Sequence, residues 1–200
     1  MFGKIQRIHF VGIGGIGMSG MAELLHCLKF EISGSDMRSS ERTTHLSKLG
    51  VKIFTGHHSE NVENSDVLVY SSAVNLENPE VKFAKILGIP IIRRAEMLGE
   101  LMKLKKISIG VAGTHGKTTT SSLLGNILLE AKVNPTLVIG GIVNKFNSNT
   151  ISGSGDIIVV EADEFDKTFL QLSPTYSIIN NLDLEHLDCY KNMDELQTSF

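Results

Sequence analysis

The sequence predicts an α/β fold of mainly parallel sheets, and three observations carry that prediction. Short apolar strand patterns alternate with helical ones from end to end. The strands are apolar throughout rather than at every second residue, which suits sheets covered by helices on both faces. Two glycine-rich turns, one near each end, each join a strand to a helix.

The first strand is read at 8–11, and the first glycine turn leads from it into a helical pattern over 18–29. Helices at 41–49, 79–87 and 95–104 then interleave with strands at 51–54, 67–70 and 89–92. The basic run Lys103, Lys105 and Lys106 reads as a solvated connector rather than a binding patch. Beyond it, Ile107, Ile109 and Val111 mark a strand over 107–112. Leu123, Leu124, Ile127 and Leu128 mark an amphipathic helix over 117–131. Strands at 136–139, 157–160 and 176–179 follow. Met193–Phe200 reads as a helix opening without a capping glycine, so the chain is expected to be a piece of something longer. Two domains are expected, 1–103 and 104–200.

Composition narrows the class. The 200 residues are 42% hydrophobic and 20% charged, with a net charge of −3, which gives no global attraction to nucleic acid. Cys27 and Cys189 stand in no paired metal or redox spacing, which suits a reducing compartment. Lys4 and Arg7 precede an apolar stretch, but glycines, His9 and then Glu23 interrupt it, unlike a secretory signal. No apolar run reaches the roughly 18 residues of a membrane span. A cytoplasmic protein without membrane or nucleic-acid partners is expected; nothing in the sequence speaks to its oligomeric state.

Gly113-Thr-His-Gly-Lys-Thr-Thr-Thr120 is the most informative segment. A glycine turn between strand and helix points backbone N–H groups inward at the positive end of the helix dipole. Gly116 allows close approach of a phosphate, Lys117 can reach terminal phosphates, and Thr118 offers a hydroxyl to Mg²⁺. The strict pattern has glycine five residues before Gly116, where this chain has Val111. The segment is read as a triphosphate site. The earlier turn, Gly12-Ile-Gly-Gly-Ile-Gly17, has the Gly-x-Gly-x-x-Gly form, and Asp36 stands where a dinucleotide site places its ribose-binding acid. That combination supports no more than a diphosphate on a helix N-terminus with an acid positioned for a ribose, parts that NAD, FAD and UDP share. Glycines serving only tight strand-to-helix packing are the bland alternative.

Acids follow the later strands. Glu161, next to the strand at 157–160, is first in line to complete a Mg²⁺ shell begun by Thr118, ahead of Asp163, Glu164 and Asp166. His186 stands among acids beyond the strand at 176–179, at the edge where α/β sheets place ligands, and reads as a metal or phosphate ligand. Zinc is not expected, since no second histidine or cysteine lies at ligand spacing.

Together these segments resemble the Mur ligases, ATP-dependent amide-bond-forming enzymes of peptidoglycan precursor synthesis. The resemblance rests on His9–Ser19, Ser33–Asp36, Tyr70–Ala73, Ile92–Met97, Ala112–Thr120, Glu161–Glu164 and Glu185–Asp188, in family order. It implies a Rossmann-like UDP-binding domain followed by part of a P-loop-type ATPase domain, with a C-terminal amino-acid-binding domain absent. It implies that Gly12, Gly14, Gly15, Gly17, Met18, Ser35, Asp36, Ser71, Ser72, Arg93 and Arg94 bind the UDP-sugar. Gly113, Thr114, His115, Gly116, Lys117, Thr118 and Thr119 would bind ATP. Lys117, Glu161 and His186 would be catalytic, with Thr118 and Glu161 holding one Mg²⁺ and His186 a second. The segments are nearest to the branch that joins L-alanine to UDP-N-acetylmuramate through an acyl phosphate. The family often has Glu-Pro-Asp-His where this chain has Asp183-Leu-Glu-His186, so Asp183 and Glu185 receive no role. A ligase for another amino acid or a peptide, an NAD-linked oxidoreductase and a non-catalytic nucleotide-binding module are the rival readings. The chain alone is expected to form no amide bond.

Overall fold

A computed structural model describes residues 3–143, 148–163, 168–183 and 192–199. The chain divides into two compact units, Met1–Met97 and Leu98–Phe200.

In the first unit, β1 (Arg7–Val11), α1 (Ile16–Cys27), β2 (Glu31–Asp36), α2 (Glu41–Lys48) and β3 (Lys52–Thr55) are followed by a 3₁₀ turn at Ser59–Val62. Then come β4 (Val67–Tyr70), α3 (Pro79–Ile86) and β5 (Ile91–Arg93), and α4 (Arg94–Met102) leads out. The sheet order is β3-β2-β1-β4-β5, with every pair parallel. This is the doubly wound order, whose switch point lies between β1 and β4, so the loops after those two strands flank the crevice.

Local chemistry starts the helices. Ser40 caps α2 in a reciprocal capping box with Thr43, while Asn78 caps α3 with Pro79 in its first turn. Eight-residue helices are too short to persist alone, so packing holds them. Val11, Val62, Leu68, Val81 and Ala84 form one buried cluster, flanked by Tyr70 and Phe83. Each fully buried valine or leucine contributes about 1.5–3 kcal/mol, enough to hold α3 against the sheet.

In the second unit, β6 (Ile107–Ala112), α5 (Lys117–Glu130), β7 (Thr136–Val143), β8 (Ser148–Ile151), β9 (Ile157–Glu161) and β10 (Tyr176–Ile179) form a sheet of order β10-β6-β9-β7-β8. All pairs are parallel except β7 with β8. A 3₁₀ turn at Thr168–Gln171 and α6 (Met193–Ser199) complete it. Val111, Leu137, Ile139 and Val159 make its core, with Leu124 and Leu128 packed on them from α5. Among the described residues, no helix is long and apolar enough to cross a membrane.

The mainly parallel α/β class is as expected from sequence. Two strands were not: β2, whose residues Glu-Ile-Ser-Gly-Ser-Asp are mostly small and polar, and the antiparallel β8.

One surface carboxylate secures the start of β1. Asp66 accepts hydrogen bonds from the backbone N–H groups of Gln6 (2.9 Å) and Arg7 (2.8 Å) and from the Arg7 guanidinium (2.7 Å). The Arg7 side chain first, then the two backbone groups, hold its carboxyl at about 2, below the ordinary 3.8. A carboxyl depressed in the folded state stabilises the fold above its unfolded value and loses that contribution as pH falls through the folded one. Denaturant titrations should therefore show wild-type stability dropping between about pH 4 and pH 2, with a shallower drop in Asp66→Asn. Identical pH slopes in the two proteins would refute this.

Candidate functional site

The first glycine turn is held from several sides. The N–H groups of Gly12 and Ile13 both donate to the Ser35 carbonyl at the end of β2, at 2.9 and 3.0 Å. Gly14 N–H donates to Asp36 Oδ2 (2.8 Å), and the Gly14 carbonyl accepts from Arg42 Nε (2.8 Å). Asp36 Oδ1 accepts from Arg38 N–H at 3.3 Å. The turn thus presents the start of α1, with Gly15 as its cap. A side chain at Gly17 would collide with the Arg94 guanidinium, so Arg94 lies directly against this turn. A positive group beside a helix N-terminus is an arrangement that favours an anion. Ser71 follows β4, its hydroxyl 3.4 Å from where a Gly12 side chain would begin, and Arg93 Nε donates to Tyr70 Oη at 3.3 Å. Ser72 is exposed beside it.

Two residues read as substrate-binding serve the interior. Met18 is buried in the core. Ser35 is buried too, its hydroxyl donating to Glu80 Oε2 (2.5 Å) and meeting His57 Nδ1 at 2.8 Å. The Ser35 carbonyl hydrogen-bonds the turn, and the Met18 side chain lies 3.8 Å from where a Gly15 side chain would begin. Glu80, unremarked in the sequence, is fully buried and also accepts from Asn61 Nδ2 (2.5 Å), with His9 Nε2 3.6 Å away. Burial alone would push its carboxyl up; His9, Ser35 and Asn61 outweigh that and hold it below its ordinary value.

In the second unit the topology brings three strand ends together. β6 lies between β9 and β10, with Val111 opposite Glu161 and Ala112 opposite Ile179. The loop after β6 is therefore flanked by Glu161 on one side and by Asn180 and Asn181 on the other. Gly116 adopts a left-handed conformation (φ 77°) as the cap of α5, which a side chain would strain. Lys117 Nζ donates to the carbonyls of Gly113 (2.7 Å) and Thr114 (3.2 Å). Thr118 Oγ1 donates to Glu161 Oε1 at 3.0 Å, and Glu161 Oε2 accepts from Gly140 N–H at 2.9 Å. Thr119 is exposed on the first turn of α5. His115 stands 3.7 Å from Asp183, an exposed pair of little energetic weight.

The Thr118–Glu161 pair fits a hard cation. Neighbouring oxygen ligands of octahedral Mg²⁺, each at about 2.0–2.1 Å, stand about 2.9 Å apart. One carboxylate and one hydroxyl would leave the other positions of such an ion to ligand oxygens and water, which suits Mg²⁺. Among the described residues, no group of three or more His, Cys, Asp or Glu could hold a metal. His186, Glu164, Asp166, Glu185 and Cys189 lie outside the described residues.

Sequence reasoning assigned nothing to Asn180, Asn181 or Gly140. Asn181 Oδ1 accepts from His115 N–H (2.8 Å), and both asparagine amides donate to the His115 carbonyl. A pair of asparagines at the end of a strand beside the loop was the available signal.

Comparison with known proteins agrees along the whole chain. Residues 7–106 match the Mur ligase family, catalytic domain, and residues 111–200 match the Mur ligase middle domain. A UDP-N-acetylmuramate–L-alanine ligase of Geobacter sp. (strain M21) is 54% identical over 200 residues, all of this chain and 43% of that protein. One from Sorangium cellulosum is 50% identical over 198 residues. The chain thus spans less than half the length of the curated relatives it matches. Among solved structures, the UDP-N-acetylmuramate–alanine ligase of Thermotoga maritima superposes with a TM-score of 0.87 at 35% identity, over 96% of this chain and 45% of that one. A UDP-N-acetylmuramate:L-alanyl-γ-D-glutamyl-meso-diaminopimelate ligase from Neisseria has the same TM-score at 30% identity, over 98% of this chain and 66% of that one.

Proposed function

Because the chain belongs to the Mur ligase family, we propose that it carries the UDP-sugar site and the ATP-phosphate site of an enzyme joining L-alanine to UDP-N-acetylmuramate. Residues 1–103 would form the UDP-sugar domain and 104–200 the first part of the ATPase domain. The single observation that carries the catalytic half is the 3.0 Å approach of Thr118 and Glu161 beside the Lys117 loop.

The sugar's carboxylate attacks the γ-phosphorus of the co-substrate ATP. A new C(O)O–P bond forms, the bond to the β,γ-bridging oxygen breaks, and ADP leaves. The amine of L-alanine then attacks the carbonyl carbon, phosphate leaves with the C–O bond electrons, and the amine loses a proton. The first step brings one anion onto another, and Lys117 offsets that repulsion. Mg²⁺ on Thr118 and Glu161, with a second ion on His186, would neutralise charge on the phosphates. Gly113–Thr119 would cradle those phosphates. Gly12–Gly17, Asp36, Ser71, Ser72, Arg93 and Arg94 would hold the UDP-sugar, and the Ser35 carbonyl would brace their turn. Phosphate release by the full-length enzyme, supplied with UDP-N-acetylmuramate and each candidate amino acid in turn, tests the reading. Release stimulated by a peptide or another amino acid, and not by L-alanine, would overturn the substrate assignment.

The first unit makes its own prediction. UDP or a UDP-sugar should bind the chain more tightly than NAD, measured by calorimetry. NAD binding without UDP binding would favour the oxidoreductase reading instead.

A further inference from the structure

The phosphate loop is oriented by groups outside it. Three consecutive loop carbonyls, of Gly113, Thr114 and His115, each accept from a side-chain donor. Lys117 serves the first two; Asn180 Nδ2 (3.1 Å) and Asn181 Nδ2 (3.2 Å) serve the third. Tying carbonyl oxygens back matters here, because an anion entering the loop is repelled by any oxygen left facing it. Asn181 also accepts the His115 N–H on its Oδ1 (2.8 Å) and the Thr114 N–H on its backbone carbonyl (3.1 Å).

The clamp needs a side chain that both accepts and donates, which the asparagine amide does. The His115 N–H can only donate and the His115 carbonyl can only accept, so Asn181 must offer one acceptor and one donor. Asn180 is oriented by Thr120 Oγ1, which donates to its Oδ1 at 3.2 Å and turns its NH₂ toward His115. The strand end sits close: a side chain at Gly113 would begin 2.9 Å from the Asn181 carbonyl oxygen. The peptide bonds among the described residues are trans, and a trans peptide is planar with its C=O and N–H opposed. Holding the His115 carbonyl toward the asparagines therefore points the Gly116 N–H away from them.

We propose that Asn180 and Asn181 are positioning residues that set the His115–Gly116 peptide plane, aiming the Gly116 N–H at a bound nucleotide phosphate. The proposal rests on the ATP reading of this loop. It makes the end of β10, from which the chain runs on to His186, an orienting strut for the phosphate site.

The test compares Mg-ATP and UDP affinities of the same samples, for wild type, Asn181→Ala, Asn181→Asp and Asn180→Ala, alongside thermal denaturation. Asn181→Ala should weaken Mg-ATP binding on the order of tenfold or more, since it frees the His115 N–H and leaves the His115 carbonyl held by Asn180 alone. Asn181→Asp keeps the shape and the acceptor for His115 N–H but sets a second acceptor against the carbonyl, and should weaken Mg-ATP similarly. UDP binding should stay within about twofold of wild type, because the residues proposed to hold UDP belong to the first unit. A purely structural role predicts lowered melting temperatures with Mg-ATP affinity unchanged, and that result overturns the proposal. If Asn181→Ala loses both ligands by unfolding, Asn180→Ala decides, since it removes one donor and leaves the Asn181 clamp; unchanged Mg-ATP affinity there is again fatal. A wild-type chain that binds UDP but no Mg-ATP would overturn the nucleotide reading itself, and the proposal with it.

Discussion

Lys117→Ala should abolish ligation in the full-length enzyme, lowering the rate on the order of 100-fold or more while leaving UDP-sugar binding intact. The ammonium now donates to the carbonyls of Gly113 and Thr114, so its stem already lies along the loop that would surround the phosphates. An alanine leaves a cradle of backbone N–H groups with no counter-charge for an anion attacking an anion. Preorganised charge of this kind acts mainly in the transition state, so kcat should fall along with ATP affinity. The loss of two hydrogen bonds within the loop also costs stability, about 1 kcal/mol each. Lys117→Arg separates the two effects: it keeps the charge but replaces a compact ammonium with a planar fork, and should recover stability more than rate. Phosphate release at saturating ATP is the measurement. A Lys117→Ala enzyme with wild-type kcat would end the assignment of this loop to the transferred phosphate.

What could be read from the sequence was local. Each glycine turn announces itself because strand, turn and helix lie within a few residues of one another, and the chemistry of the turn is written in that order. Strand β2 escaped because its burial is polar. It lies between β1 and β3, Ser35 is buried by hydrogen bonding to Glu80, and Gly34 is small because Ile13 occupies the space above it. Apolar patterning cannot find a strand whose interior face is satisfied by hydrogen bonds rather than by hydrocarbon. Strand β8 is four residues, Ser-Asn-Thr-Ile, and among the described residues pairs, antiparallel, with β7 alone. The asparagines beside the Gly113–Gly116 loop escaped for a different reason. Asn181 and His115 are 66 residues apart and meet only because β10 and β6 are neighbours. Spacing along the chain carries no trace of that until the strand order is known.

The strand order also sets the second large effect. Glu161 follows β9 and Thr118 opens α5 after β6, and parallel pairing of β6 with β9 puts both at one sheet edge, 3.0 Å apart. The carboxylate is the only charged member of that pair, so on the proposed reading it would supply most of the affinity for a small divalent ion. Its other oxygen is held by Gly140 N–H, which fixes the carboxylate plane before any ion arrives. Glu161→Ala should therefore raise the Mg²⁺ concentration needed for half-maximal activity by about tenfold or more and lower the rate at saturating Mg²⁺. Glu161→Gln removes the charge while its amide oxygen can still accept from Gly140 N–H and its NH₂ can donate to the Thr118 hydroxyl oxygen. It should fold as well as wild type yet share the raised Mg²⁺ requirement. His186→Ala should raise that requirement too if the histidine holds a second ion, whereas a histidine that only ties down a loop would lower stability and leave the Mg²⁺ dependence unchanged. UDP-sugar affinity should stay put in all three variants, since its groups belong to the first unit. Activity titrated against Mg²⁺ at fixed ATP reads these outcomes directly. A Glu161→Gln enzyme with wild-type Mg²⁺ dependence would show that Glu161 serves Thr118 as a hydrogen-bond acceptor and nothing more.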